Sequence, residues 1–205
     1  MVAKKWWSLL IMGYSNKYLC VFGCLLTDIG KQIKREMLTW LTSSYHVLCI
    51  DQQPPGRLFE YPAMLYAAKL SVDTNQPVLY IHTKGAANQN HLQAKVRHLW
   101  QIEFGTSHAS KYFSVVNSNN PIVATPFASP EGSTWFNGFV MNPAASKICL
   151  QVINDFNHPI SKHLKPENIR YRYEHMFRDT KCHVIGILNT CPSKSIWGHE
   201  CWKTV

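Results

Sequence analysis

The sequence is poor in acidic side chains and lacks the short motifs that identify the commonest nucleotide-binding and hydrolytic sites. Twelve Asp and Glu residues stand against 21 Lys and Arg residues, which gives a formal net charge of +9. There is no G-x-G-x-x-G, no G-x-x-x-x-G-K-[ST] and no G-x-S-x-G. A standard dinucleotide site, a P-loop and an activated-serine hydrolase therefore have no support. There is also no Asp-x-Asp pair.

Long apolar runs, low-complexity tracts and repeats at solenoid spacing are also absent from the sequence. Disorder, a repeat architecture and a spanning helix of about 20 apolar residues are therefore not predicted. The apolar stretch 6–14 follows two lysines, but it is short and no small-x-small cleavage site follows it, so we expect no signal peptide. The length of 205 residues and the 46% hydrophobic content suit a single globular domain, residues 1–205.

The seven cysteines are an odd number and show no paired C-x2-C spacing. Cys20 and Cys49 lie inside apolar runs, where a thiol behaves as a small hydrophobe. This usage favours a reducing compartment, and we expect a cytoplasmic protein. A weak zinc candidate remains in the C-terminal set Cys182, His183, Cys191, His199 and Cys201.

The excess of positive charge favours anionic partners: nucleic acid, an anionic membrane face or a phosphorylated substrate. The basic residues are scattered, and no run is longer than two. Nucleic-acid binders usually concentrate their charge on one face or arm. We therefore interpret the charge as a general bias toward phosphate, keep a nucleic-acid binder only as a third hypothesis, and expect no nucleic-acid partner.

Apolar strand-like runs alternate with amphipathic segments along the chain, which predicts an α/β fold with a mostly parallel central sheet flanked by helices. In such sheets ligands bind outside the carboxyl ends of the strands. The predicted strands are 18–26, 45–51, 77–82, 121–126 and 182–188; the predicted helices are 29–41, 59–72, 93–104 and 144–153, and 129–142 is predicted to be rich in loop.

The first candidate site is the tetrapeptide His82-Thr83-Lys84-Gly85, which follows a buried strand abruptly. Gly85 allows the chain to fold back and point N–H groups at an anion. Lys84 can neutralise a phosphate, and Thr83 can donate a hydrogen bond to it. The alternative interpretation is an ordinary strand exit with a solvated lysine.

Two further segments are candidates for chemistry. In 133–139, the aromatic residues Trp135 and Phe136 stand beside Asn137 and Gly138, a combination that suits the binding of a sugar. The alternative interpretation is a loop that its aromatic residues hold against the core. In 170–177, Glu174 between basic and aromatic residues suits a general base, although an exposed basic edge has the same pattern.

Several of these segments together resemble a family of bacterial glycosyltransferase-like proteins associated with surface-polysaccharide synthesis. The matching segments are Glu60-Tyr61-Pro62, LYIHTKG at 79–85, Arg97 and Trp100 on the next helix, TWFNGFVMNPAA at 134–145 and YEHMF at 173–177. The resemblance covers roughly residues 19 to 179. It implies a GT-A-like nucleotide-binding sandwich and a transferase of the hexosyltransferase type.

The resemblance also implies roles for individual residues. By this resemblance, the donor and its phosphates are bound by Asp51, His82, Thr83, Lys84, Gly85 and Arg97. The acceptor is bound by Trp135, Asn137 and Gly138, and the catalytic residues are Glu174 and Lys84. Cations stand where relatives carry Asp-x-Asp, which implies a metal-independent route, with Mn²⁺ or Mg²⁺ left open. The implied partners are a nucleotide-sugar donor, a glycan or lipid-linked acceptor, and peripheral contact with the inner membrane face. The alternative is a non-catalytic glycan- or nucleotide-binding module of the same fold.

Overall fold

The computed structural model of the chain describes the strands, three helices and several connecting turns. Its described residues are 19–25, 35, 45–50, 61–82, 99–100, 102–104, 108–134, 138–154, 175–178 and 180–190. Every statement of structure below refers to these residues.

The described part of the chain contains six strands and three helices with defined bounds, and residues 99–100 and 102–104 are also helical. The strands are β1 (Leu19–Leu25), β2 (Tyr45–Ile50), β3 (Val78–His82), β4 (Ile122–Ala128), β5 (Phe139–Met141) and β6 (His183–Thr190). The helices are α1 (Tyr61–Thr74), α2 (Ala109–Val115) and α3 (Pro143–Asn154).

The strands form one mixed sheet in the order β2-β1-β3-β5-β4-β6. β1 pairs in parallel with β2 and β3, and β4 pairs in parallel with β6. β5 is antiparallel to both of its neighbours, β3 and β4. Five strands therefore run in one direction and β5 runs in the other, so the expected α/β sheet is confirmed but its parallel character is partial.

Helices α1 and α3 cover the sheet and share one apolar cluster with it. Small residues of both helices are fully buried there, including Ala67 and Ala145 at 0% exposure. Met176 and Phe177, from a turn far along the chain, complete the cluster at 1% exposure each. Burying one such large side chain stabilises the fold by about 1.5–3 kcal/mol. The helix α1 begins and ends two residues later than the predicted 59–72, and Pro62 lies in its first turn as expected, because proline fits the first turn of a helix.

Asn142 ties the amino edge of the sheet together from a buried position (1% exposed). Its Oδ1 accepts hydrogen bonds from the N–H groups of Ile122, at 3.2 Å, and Ala145, at 2.9 Å. The first of these fixes the start of β4, and the second caps α3. Its Nδ2 donates to three carbonyl oxygens of the preceding loop, those of Val116, Ser118 and Asn120.

Three elements differ from the sequence expectation. The strand β4 continues through Pro126, and its register with β6 shifts between Thr125 and Phe127, because proline has no N–H to donate to the ladder. The strand β5 lies in the segment expected to be loop; three residues are too few to show an alternating pattern. The helix α2 was not predicted. Within the described ranges, we find no helix whose length and apolarity would let it cross a membrane.

Candidate functional site

The carboxyl ends of five strands meet at one edge of the sheet, and β5 begins at the same edge. This edge carries His82, the last residue of β3, and Gly138, the residue before β5. Both were predicted to be site residues. They lie far apart in the sequence, and it is the antiparallel pairing of β5 with β3 that brings them to the same edge.

The His82 side chain lies in an aromatic environment and is 8% exposed. Its ring centroid is 6.0 Å from that of Tyr80, which is two residues earlier and hence on the same face of the strand. The Trp100 ring meets it nearly edge-on, with a centroid distance of 5.4 Å and an interplanar angle of 78°. The imidazole is therefore held by packing, with little surface left for solvent or a ligand.

Gly138 lies directly against the same tryptophan. A Cβ atom at this position would be 2.7 Å from Nε1 and 2.8 Å from Cε2 of Trp100, and 3.1 Å from Cε2 of Phe104. The Thr125 hydroxyl, fully buried, donates a hydrogen bond of 2.9 Å to the Gly138 carbonyl and fixes this peptide in place. The observed role of Gly138 is close approach of backbone to indole; its predicted contact with an acceptor stays a prediction.

Trp100 thus joins the two predicted site residues, although sequence reasoning gave it no site role. It lies in a helical segment with Leu99 and is 0% exposed. Its indole N–H is buried and has no hydrogen-bond acceptor within the described part of the chain. The sequence signals for Trp100 were its match to the resembling family, which came without an assigned role, and its place on the apolar face of a predicted helix, which is equally typical of any core tryptophan.

A tight hairpin turn connects β4 to the chain leading into Gly138. The N–H of Ser129 donates to the carbonyl of Ser133 at 3.1 Å, and the Ser129 Oγ accepts the N–H of Ser133 at 3.1 Å. Gly132 has φ +87°, a conformation that glycine adopts at little cost. Thr134 then forms an antiparallel bridge with Ala128, so the segment predicted to be irregular is an ordered hairpin as far as Thr134.

The hairpin is bonded to a second turn, residues 175–178. Ser133 Oγ and His175 Nδ1 are joined by a hydrogen bond of 2.6 Å. The hairpin and this turn also lie close together at Gly132, where an added Cβ atom would be 3.5 Å from the Phe177 carbonyl oxygen and 3.8 Å from the Arg178 Cα. Sequence reasoning placed Ser133 and His175 inside candidate segments but assigned neither a role, since a Ser–His pair so far apart has no sequence signature.

A buried carboxylate, Glu103, anchors α2 to the segment that carries Trp100. Its side chain is 5% exposed, and its Oε2 forms an ion pair with Lys111 Nζ at 2.6 Å. The Tyr112 hydroxyl donates a hydrogen bond to the same oxygen, also at 2.6 Å. His108 Nδ1 lies 3.7 Å from the other oxygen. Burial raises the pKa of Tyr112 far above its ordinary value, and the bond to Glu103 adds to this effect. The cluster is fully paired, which is typical of a structural ion network.

The remaining predicted site residues lie outside the described part of the chain. They are Asp51, Thr83, Lys84, Gly85, Arg97, Trp135, Asn137 and Glu174. The structure therefore places two predicted residues, His82 and Gly138, and brings them together around Trp100. Across the described ranges, no group of three or more His, Cys, Asp or Glu side chains is arranged to hold a metal ion.

The resemblance to glycosyltransferase-like proteins rests on the quoted sequence segments. Its specific part is LYIHTKG in a helix–strand–loop context, and the structure describes the strand of that motif as β3. Comparison with models of protein families, with curated proteins and with solved structures finds no match for this chain.

Proposed function

We propose that this chain is a GT-A-like glycosyltransferase that moves a sugar from a nucleotide-sugar donor to a cell-surface glycan or its lipid-linked precursor. One observation carries the proposal: two of the predicted site residues, His82 and Gly138, meet around Trp100 at the carboxyl edge of the sheet. Open α/β sheets bind their ligands at that edge.

The proposed donor site begins where β3 ends. Lys84 follows His82 by two residues, and a lysine near the diphosphate supplies the positive charge that a metal ion supplies in other transferases. Arg97 adds a second cation, and Asp51, directly after β2, is assigned to the nucleoside. The formal charge of +9 suits both an anionic donor and an anionic membrane face.

In the proposed reaction, an acceptor hydroxyl oxygen attacks the anomeric carbon of the donor sugar. The bond from that carbon to the phosphate oxygen breaks, and the nucleoside diphosphate leaves with the electron pair. Lys84 and Arg97 stabilise the charge that develops on the leaving group. Glu174 accepts the hydroxyl proton. Trp135 and Asn137 hold the acceptor, an aromatic face against its C–H groups and an amide against its hydroxyls.

A thermal-shift screen against nucleoside diphosphates and nucleotide-sugars, each with EDTA and with Mn²⁺, tests the donor site. A ligand that binds only the folded protein stabilises it and so raises its melting temperature. At a ligand concentration of one hundred times Kd, the free energy of unfolding increases by about 2.7 kcal/mol. We expect one nucleotide to shift the protein in EDTA. Lys84→Ala should remove the shift, while Lys69→Ala, at an exposed position of α1, should keep it.

Turnover is then measured as release of nucleoside diphosphate from the donor found in the screen. Binding with turnover supports the transferase. Binding with no turnover under any condition would select the non-catalytic nucleotide- or glycan-binding module instead. Absence of any nucleotide shift, together with an affinity for oligonucleotides that falls steeply with salt, would replace both with a nucleic-acid binder.

A further inference from the structure

We propose that Ser133 and His175 are positioning residues for this transfer, and that their hydrogen bond couples the acceptor loop to the segment that carries the catalytic base. The inference rests on the proposed function, because it concerns residues assigned to the same reaction. The two residues come from distant parts of the sequence and meet at 2.6 Å.

The acceptor side of this coupling is the hairpin that follows β4, described over residues 128–134. Ser133 lies two residues before Trp135, the first residue assigned to the acceptor. Its backbone is bonded twice to Ser129, and its neighbour Thr134 is bridged to Ala128. With 2% exposure, Ser133 has little freedom to leave this position. The hairpin therefore offers a fixed hydroxyl at the start of the acceptor loop.

The base side of the coupling is the turn 175–178. His175 is the immediate chain neighbour of Glu174, the assigned base. The next two residues, Met176 and Phe177, are buried in the core cluster, where Met176 meets Cys149 and Phe177 meets Phe139 edge-on at 5.6 Å. The turn is thus anchored from one side by the core and from the other by Ser133.

This arrangement favours positioning over direct chemistry by Ser133. A nucleophile must reach its substrate, and Ser133 is almost completely buried. A hydrogen bond between two otherwise anchored turns instead limits how far they move relative to each other. A misplacement of about 1 Å can lower a rate by about a hundredfold, so even a modest slip between the base and the acceptor loop matters.

The experiment compares Ser133→Ala with two conservative variants and one matched control. Ser133→Thr retains the hydroxyl, and His175→Asn retains a polar nitrogen near the place of Nδ1. Ser114→Ala is the control, because it removes an exposed serine hydroxyl whose hydrogen bond stays within α2, on the carbonyl of Lys111. All proteins are assayed well below their melting temperatures, with the donor that shifts the wild-type protein, for nucleoside diphosphate release and for donor-induced thermal shift.

We expect Ser133→Ala to lower kcat at least tenfold while KM for the donor and the donor-induced shift stay at wild-type values. Ser133→Thr and His175→Asn should each have a kcat between that of Ser133→Ala and that of the wild type. Ser114→Ala should have the kcat of the wild type. A purely structural bond would lower the melting temperature but leave kcat of the folded enzyme unchanged, and that result would overturn the inference. A wild-type protein that neither binds nor turns over any nucleotide-sugar overturns the proposed function itself; wild-type turnover with an unaffected Ser133→Ala overturns only the positioning role.

Discussion

Replacing Gly138 by alanine tests the packing at the centre of the candidate site. Gly138 is not among the residues with positive φ, so its backbone is compatible with alanine and contact alone decides the outcome. The added Cβ would come within 2.7 Å of Trp100 Nε1 and 2.8 Å of Cε2. Non-bonded heavy atoms prefer about 3.5–4.0 Å, so the indole or the strand has to move by most of an ångström.

Two opposing terms set the magnitude of this effect. Alanine restricts the unfolded chain and would stabilise the protein by about 0.4–1 kcal/mol at a compatible site. Overpacking a filled core costs about 1–3 kcal/mol, and Trp100 is a rigid ring at 0% exposure that cannot swing away. The clash wins, and we expect a net loss of about 1–2 kcal/mol. In a domain of this size the melting temperature then falls by about 2–8 °C.

A double-mutant cycle with Trp100→Phe gives the decisive assay, read by denaturant unfolding. Phenylalanine removes Nε1 and the atoms nearest to Gly138, so Gly138→Ala should cost about 1 kcal/mol less in that background. Trp100→Phe alone leaves a cavity but also deletes a buried N–H without an acceptor among the described residues, so the two effects partly offset each other. If the two substitutions are additive within about 0.3 kcal/mol, the contact between Gly138 and Trp100 is not what restricts this position.

Three further predictions concern the framework around the site. Asn142→Ala should lower the free energy of unfolding by about 3–5 kcal/mol in denaturant unfolding, because several hydrogen bonds of one buried amide are lost at once. The control Asn119→Ala, at an exposed position, should change it by no more than about 0.5 kcal/mol. Tyr112→Phe should cost about 1.5–3 kcal/mol by the same assay, the value of a hydrogen bond to a charged group; no loss would mean that Glu103 is satisfied without it. Burial raises the pKa of Cys20 to about 12 and that of Cys182 to about 11, so both thiols ionise more readily in the unfolded chain. Their contribution to stability should be constant below about pH 8.5 and should fall as the pH rises toward 11, and a free energy of unfolding that increases from about pH 8.5 to 11 would contradict the burial of these thiols.

Strand positions were the part of the fold that the sequence predicted well. The run Val78–His82 is buried at every position, and an uninterrupted apolar run is what such a strand requires. The helix α3 was predicted one residue short at each end, at 144–153 against Pro143–Asn154. Local pattern is sufficient in these cases because the element is long enough to show its period and is bounded by residues that end it.

Pairing and direction were the parts that the sequence could not supply. β5 is three residues long, and its reversed direction depends on hydrogen bonds to β3 and β4 rather than on its own composition. α2 was missed for a similar reason: its seven residues are held by the contact of Tyr112 and Lys111 with Glu103. Short elements that are stabilised by tertiary contacts carry little local signal.

The candidate site shows the same division between local and tertiary information, and this bears on which residues meet a ligand. His82 was predicted from the abrupt change of polarity at the end of β3, yet its ring is enclosed by Tyr80 and Trp100 and is only 8% exposed. A residue that is enclosed in this way is better placed to form the floor of a site than to contact the ligand, since a hydrogen bond to a ligand requires an accessible polar atom. The polar residues that follow the strand, Lys84 above all, are then the ones whose replacement should change affinity, while replacement of His82 should change stability. The thermal-shift comparison separates these two effects, because a lower melting temperature with an intact ligand shift is the signature of a floor residue and the reverse is the signature of a contact.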